Sequence, residues 1–233
     1  MGNDLHLRSC IRKLRTLARN TGNRVRLIGN QQKIFCIGLN KTGTTSVRRA
    51  WQDLGFIVGN QAEARELLAP WLERDFAPII QYCKSAQAFQ DSPFSFPYTY
   101  IALDQAFPGS KFILTVRNDA EQWYKSITKF HGKKWANGAI PTKEDLMEAV
   151  NGVKGRPWVV NRALFDTPEE EPYKKEKLIR FYERHIEEVQ QYFKHRQADL
   201  LTLNVAEDDA YSKFCTFLDK EPNGEKFPWE NRT

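Results

Sequence analysis

The chain has 233 residues, 41% hydrophobic and 12% aromatic, with a formal net charge of +6. That length and apolar content suit one α/β domain of ordinary size with a sizeable core, and no apolar run reaches the roughly 18 residues of a membrane span. The charge is unevenly placed: residues 1–32 hold seven basic groups against one acid, and the remainder balances. The sequence therefore divides into a basic arm, 1–32, and a neutral body, 33–233, expected to be a single domain. A neutral body argues against nucleic acid as its partner. The arm reads as a solvated tail; its helical spacing of Ile11, Leu14 and Ala18 leaves open a weak contact with a membrane surface or polyanion. No hydrophobic stretch follows the first methionine as a secretory signal requires, and His6 stands where a myristoylation motif wants Ser or Thr. The four cysteines are scattered without a C-x-x-C pair. A reducing, cytoplasmic setting is expected, with neither a zinc site nor a disulfide framework.

The body opens with KIFCIGLN, 33–40, a short apolar run ending in a glycine loop, the pattern of a buried parallel strand. Val47, Ala50, Trp51 and Leu54 then fall at i, i+3, i+4 and i+7, so a helix runs from the loop to Gly55. FIVG, 56–59, predicts a second strand, and 61–84 a helical stretch broken near Pro70. A short third strand is expected over 87–93, ending at Asp91, and a helix over 97–107. KFILTVR, 111–117, is the clearest strand, and 119–130 the helix after it. Residues 131–172 read as an inserted helical and loop segment over the sheet's edge, with a capping-box pattern at Thr142 and Asp145. A long amphipathic helix spans 173–197, with Leu178, Phe181, Tyr182, His185, Val189 and Phe193 on one face; His185 reads as a hydrogen-bonded core residue. One more strand and helix close the body, before a polar tail. The alternation implies a P-loop-type doubly wound sheet of about five mostly parallel strands, with helices on both faces.

The stretch GLNKTGTTS, from Gly38 to Ser46, carries the chemistry. Gly38, Gly43 and Thr45 keep the spacing of a Walker A loop, but Thr44 fills the lysine slot and Lys41 comes three residues early. A strand, glycine loop and helix in succession place backbone N–H groups and the positive end of the helix dipole around an anion. No strongly apolar strand ends in an Asp placed for magnesium; KFILTVR ends instead in Arg117. Lys41 and Arg117 at the tips of two strands suit a nucleotide with phosphates at two positions. The plainer alternatives are a ligand-free turn at 38–46, an ion-paired Arg117, a surface Ser126, and an Asx turn at Asp91 before Pro93.

The run Lys41-Thr42-Gly43-Thr44-Thr45, followed by Ser46, resembles the phosphosulfate loop of the sulfotransferases that use 3′-phosphoadenosine 5′-phosphosulfate (PAPS). TVRNDAEQWYKS, with Arg117 and Ser126, is similar to their 3′-phosphate element. The tail CTFLDKEPNGEKFPWEN is similar to the C-terminus of a bacterial sulfotransferase-like subfamily. The resemblance implies sulfuryl transfer from PAPS to a hydroxyl or amine acceptor, a small molecule, lipid or glycan, without a metal. It assigns Lys41 to the bridging oxygen, Lys41 to Ser46 to the 5′-phosphosulfate, and Arg117 and Ser126 to the 3′-phosphate. Two departures stand out. The family's serine lies eight residues after the arginine, where this chain has Lys125, and Ser126 lies at nine. The family's catalytic histidine at the end of the third strand is replaced by Asp91, which becomes the candidate base, with His131 as the second. Trp123, Trp135 and Trp158 read as packing residues, one of which would be free to stack on adenine or a sugar ring. A P-loop small-molecule kinase, a non-catalytic nucleotide- or anion-binding protein of the same fold, and nucleic-acid binding by the arm remain the competing readings.

Overall fold

The computed structural model describes residues 32–228. The arm through residue 31, including the helix expected over 11–18, lies outside the described residues, as does the end of the tail. Strand β1 (Ile34–Cys36) runs through the glycine loop into α1 (Thr44–Asp53). Three short helices, α2 (Gln61–Ala64), α3 (Leu68–Leu72) and α4 (Ala77–Tyr82), fill the expected helical stretch. It breaks at 73–76 and not at Pro70, which sits in the first turn of α3, where N–H groups lack a partner within the helix. β2 (Ala88–Phe89), α5 (Thr99–Ala106), β3 (Lys111–Thr115) and α6 (Ala120–Trp135) follow. The insert holds α7 (Lys143–Glu148), the strands β4 (Val150–Asn151) and β5 (Val153–Lys154), and α8 (Arg156–Leu164); then come α9 (Lys175–Tyr192), β6 (Leu200–Leu203) and α10 (Ala210–Phe217).

The main sheet is fully parallel in the order β2-β1-β3-β6. It has four strands where about five were expected. Residues 56–59 make only one parallel bridge, Val58 to Ala88, because the Gly55 turn precedes them and Asn60 already caps α2 through its Oδ1, which accepts from Ala62 N–H at 3.0 Å. The insert is not purely helix and loop: β4 and β5 form a small antiparallel hairpin.

Successive strand residues point to opposite faces. Phe35, Ile37, Phe89 and Phe112 join Trp71, Ile79, Leu103 and Phe193 on one side; Ile34, Cys36, Ile113 and Leu203 meet Trp51 and Phe214 on the other. Helices therefore cover both faces. The tail is less polar than it reads, since Phe227 is buried against Tyr211 and Phe214, with ring centroids 5.3 and 5.0 Å away. A third cluster joins Leu39 of the loop to Trp123, Ile127, Leu146, Phe165 and Tyr182, so the insert packs at the loop end of the sheet. His185 is the core residue expected of it: Nε2 donates to the Ile37 carbonyl at 2.9 Å, and burial lowers its pKa.

The end of β1 lies tight against β3. A Cβ at Gly38 would stand 2.0 Å from Thr115 Oγ1 and 2.5 Å from the Thr115 carbonyl oxygen. Overpacking against backbone of this kind costs about 1–3 kcal/mol. Gly38→Ala should lose stability by about that amount in urea denaturation; a wild-type midpoint would mean that the two strands have room to part.

Candidate active site

The loop is tied down through buried hydroxyls. Thr42 Oγ1 donates to the Leu39 carbonyl at 2.5 Å and stands 2.5 Å from Thr115 Oγ1. Because the Thr42 proton is committed to that carbonyl, Thr115 donates to Thr42, and the Cys36 thiol, 3.8 Å from Thr115 Oγ1, donates in turn. Burial pushes that thiol up to about 12, so it keeps its proton. Gly43 takes φ 107°, open to glycine at little cost, and a Cβ there would meet Val205 Cγ2 at 2.5 Å. It is the N-cap of α1 and supplies no side-chain oxygen; the first turn holds no acid. The N–H groups of Thr44, Thr45 and Ser46 therefore head a helix with no side-chain cap among the described residues, which is the arrangement that favours an anion.

The segment after β3 holds the loop from the other side. Arg117 Nε donates to the Lys41 carbonyl at 2.6 Å, and Trp123 Nε1 donates to the Asn40 carbonyl at 2.9 Å. Trp123 stacks on Tyr182 at 4.9 Å, and the Tyr182 hydroxyl accepts the Arg117 backbone N–H at 2.8 Å. Two consecutive loop carbonyls are thus occupied by side chains of 117–123. Lys41 has a left-handed backbone, φ 72°, and its Nζ rests 4.1 Å from the centroid of the Phe130 ring. Burial and the nearby Arg117 both lower its pKa, and burial lowers that of Arg117. Positions 123, 126 and 130 share one face of α6. Ser126 therefore sits between two side chains that touch the loop and is buried, whereas Lys125 is exposed beside Glu121. The one-residue departure in spacing puts the hydroxyl, not the lysine, on the loop side.

Beyond the loop opens a cavity of about 330 Å³, lined by Asn40 and Thr45 of the loop segment, by Asp91 after β2, and by His131 and Trp135 of α6. Asp91 lies two residues beyond β2 and not at its tip, with φ 64°. A residue with a Cβ is about 1–2 kcal/mol less stable in such a conformation. Its Oδ1 accepts from the N–H of the next residue, Ser92, at 2.7 Å, and not from a group two residues on as the expected Asx turn would have it, since Pro93 there has no N–H. Burial raises its pKa, and the Ser92 N–H with Arg65, Arg156 and Arg48 opposes the rise. His131 Nδ1 is 2.7 Å from the Tyr173 hydroxyl, and its ring lies 4.4 Å from that of Trp135. Burial, with Lys134 and Lys41, lowers its pKa to about 3. Of the three tryptophans singled out, Trp123 is packed, Trp135 lines the cavity, and Trp158 stacks with Arg162 outside it at 4.6 Å. Among the described residues no three His, Cys, Asp or Glu side chains converge as a metal-binding group.

Sequence reasoning overlooked Arg48, Arg65, Lys134, Arg156 and Tyr173, all of which line this cavity. Two carried a signal: Arg48 is three residues after Thr45 and Lys134 three after His131, on shared helix faces. Arg65, Arg156 and Tyr173 arrive from elements that only the fold brings together.

A parallel, doubly covered sheet whose first strand runs through a glycine loop into an uncapped helix defines a P-loop-like α/β protein. The family model described as Sulfotransferase domain matches residues 33–233; the chain belongs to that family. No curated protein matches the chain. With a pKa of about 3, His131 stays neutral across the physiological range. Its ring resonances in a histidine-selective NMR titration should hold constant from pH 5 to 8; a midpoint near the ordinary 6.5 would mean that the ring is solvated.

Proposed function

We propose that the protein is a PAPS-dependent sulfotransferase that acts on a hydroxyl or amine acceptor without a metal. One arrangement carries the reading: the uncapped start of α1, flanked by Lys41 and with Arg117 docked on the Lys41 carbonyl, opens into the cavity that holds Asp91. The donor set fits a nucleotide phosphorylated at two positions. Backbone N–H groups of 43–46 take the 5′-phosphosulfate, and Arg117 with Ser126 takes the 3′-phosphate. Bound PAPS supplies the sulfuryl group and a phosphate leaving group.

The Lys41 ammonium neutralises negative charge that develops on the bridging oxygen, the stabilisation such transfers need most. The sulfuryl group carries less charge than a terminal phosphoryl group, so two cations and the helix end suffice without magnesium. Asp91 takes the acceptor's proton. Burial raises its pKa toward the operating pH, which makes it a stronger base than an ordinary carboxylate. His131 is available as a neutral ring, but a pKa of about 3 makes it a weak base. Its bond to Tyr173 suits it to orient the acceptor.

Lys41→Ala should retain nucleotide binding and lose about 10²–10³-fold in kcat. Turnover should be insensitive to EDTA. Asp91→Asn should lose about 10²–10⁴-fold. The folded pKa of Asp91 lies above the ordinary 3.8, so wild-type kcat/KM should fall as pH drops through that raised value, and the asparagine variant should lack this acid limb. Full activity in Asp91→Asn would transfer the base role to His131.

A further inference from the structure

The cavity beside the loop is strongly cationic. Arg48, Arg65, Lys134 and Arg156 line it, against the single carboxylate of Asp91. The four come from separate elements: Arg48 from α1, Arg65 from the turn between α2 and α3, Lys134 from the end of α6, and Arg156 from the start of α8. None forms an ion pair within 4 Å among the described residues. Arg156 is buried, 7% exposed, and its one hydrogen bond there runs from Nη2 to Ser92 Oγ at 3.1 Å. The Nε atoms of Arg48 and Arg156 are both buried and without a partner among the described residues. An unmatched buried guanidinium is costly unless an anion reaches it. Asp91 offsets one positive charge and leaves an excess of three.

These cations are distinct from the donor-binding set. Lys41 and Arg117 contact the loop, whereas Arg65 comes from the 61–84 segment, Lys134 from the end of α6 and Arg156 from the insert, and all three line the cavity beyond it. Resting on the sulfuryl-transfer reading, we infer that the acceptor is itself an anion, a hydroxyl or amine compound bearing a carboxylate, phosphate or sulfate group, which Arg156, Arg65 and Arg48 bind while its nucleophile faces Asp91. Arginine is suited to this task, because its planar fork matches such oxyanions with two parallel hydrogen bonds. Placing a second negative charge in the cavity also keeps Asp91 from settling into a permanent ion pair with the arginines, and so leaves it free to accept a proton.

The test is calorimetry on the full chain with saturating 3′-phosphoadenosine 5′-phosphate, titrating inorganic phosphate, glucose 6-phosphate and glucose. Both anions should bind, glucose should bind at least tenfold more weakly than its phosphate, and Arg156→Gln should weaken the anions about tenfold while nucleotide affinity stays within twofold. Arg65→Gln, on the half-exposed wall, should act in the same direction and guards against misfolding of the buried variant. The inference is overturned if neither anion binds at millimolar concentration, or if both bind the variants as well as wild type. Should the nucleotide itself fail to bind, the donor reading falls separately. The phosphate titration without nucleotide then still reports whether a phosphate site depends on Arg156.

Discussion

The contact between the end of β1 and the end of β3 sets the geometry of everything above the sheet. Gly38 has no side chain where Thr115 passes, and the hydroxyl chain from Cys36 through Thr115 and Thr42 to the Leu39 carbonyl closes the gap. A few hydrogen bonds, each worth about 1 kcal/mol net, would not hold a loop of glycines and threonines in exposed surroundings. Here they are buried, so breaking any one strands a polar group, and the cost rises to the desolvation penalty. With Thr115 fixed against the loop, Arg117 two residues later reaches the Lys41 carbonyl through Nε, and α6 starts close enough for Trp123 to reach the Asn40 carbonyl.

Electrostatics then distinguishes the loop from the cavity beside it. At the loop, burial lowers the pKa of both Lys41 and Arg117, and the Arg117 charge lowers that of Lys41 further. An anion placed between them would favour the charged form of both, which is what the proposed donor site requires. In the neighbouring cavity the sign of the surplus is the same, but one carboxylate stands among the cations, with its pKa raised by burial and held back by the arginines. Such opposed influences leave Asp91 sensitive to whatever charge enters the cavity. His131, bonded to Tyr173 and packed 4.4 Å from the Trp135 ring, lines the same cavity.

The parts of this protein that could be read in its sequence are those with short-range causes. The apolar run into GLNKTGTTS, the 3.6-residue spacing of Val47, Ala50 and Trp51, and the stripe of α9 all reappear. The strand expected over 111–117 ends at Thr115, so Arg117 lies two residues past its end and not at its tip. The expected strand at 56–59 failed because a strand needs length as well as β-branched residues, and the Gly55 turn and the Asn60 cap leave too little. Phe227 read as part of a polar tail because its partners, Tyr211 and Phe214, lie a helix away. The family assignment was legible in one loop and one helix. The cationic cavity was not, since Arg65 and Arg156 are ninety-one residues apart and look like ordinary surface charges until the insert folds over α6.

The central claim is that the loop binds a 3′-phosphorylated nucleotide without metal. Titration calorimetry with 3′-phosphoadenosine 5′-phosphate in EDTA, against ATP with magnesium, tests it most directly. The account predicts tight metal-free binding of the first and weak binding of the second. Preference for ATP with magnesium, or binding of neither, would contradict it: the first outcome would indicate a kinase, the second a fold that has lost its nucleotide.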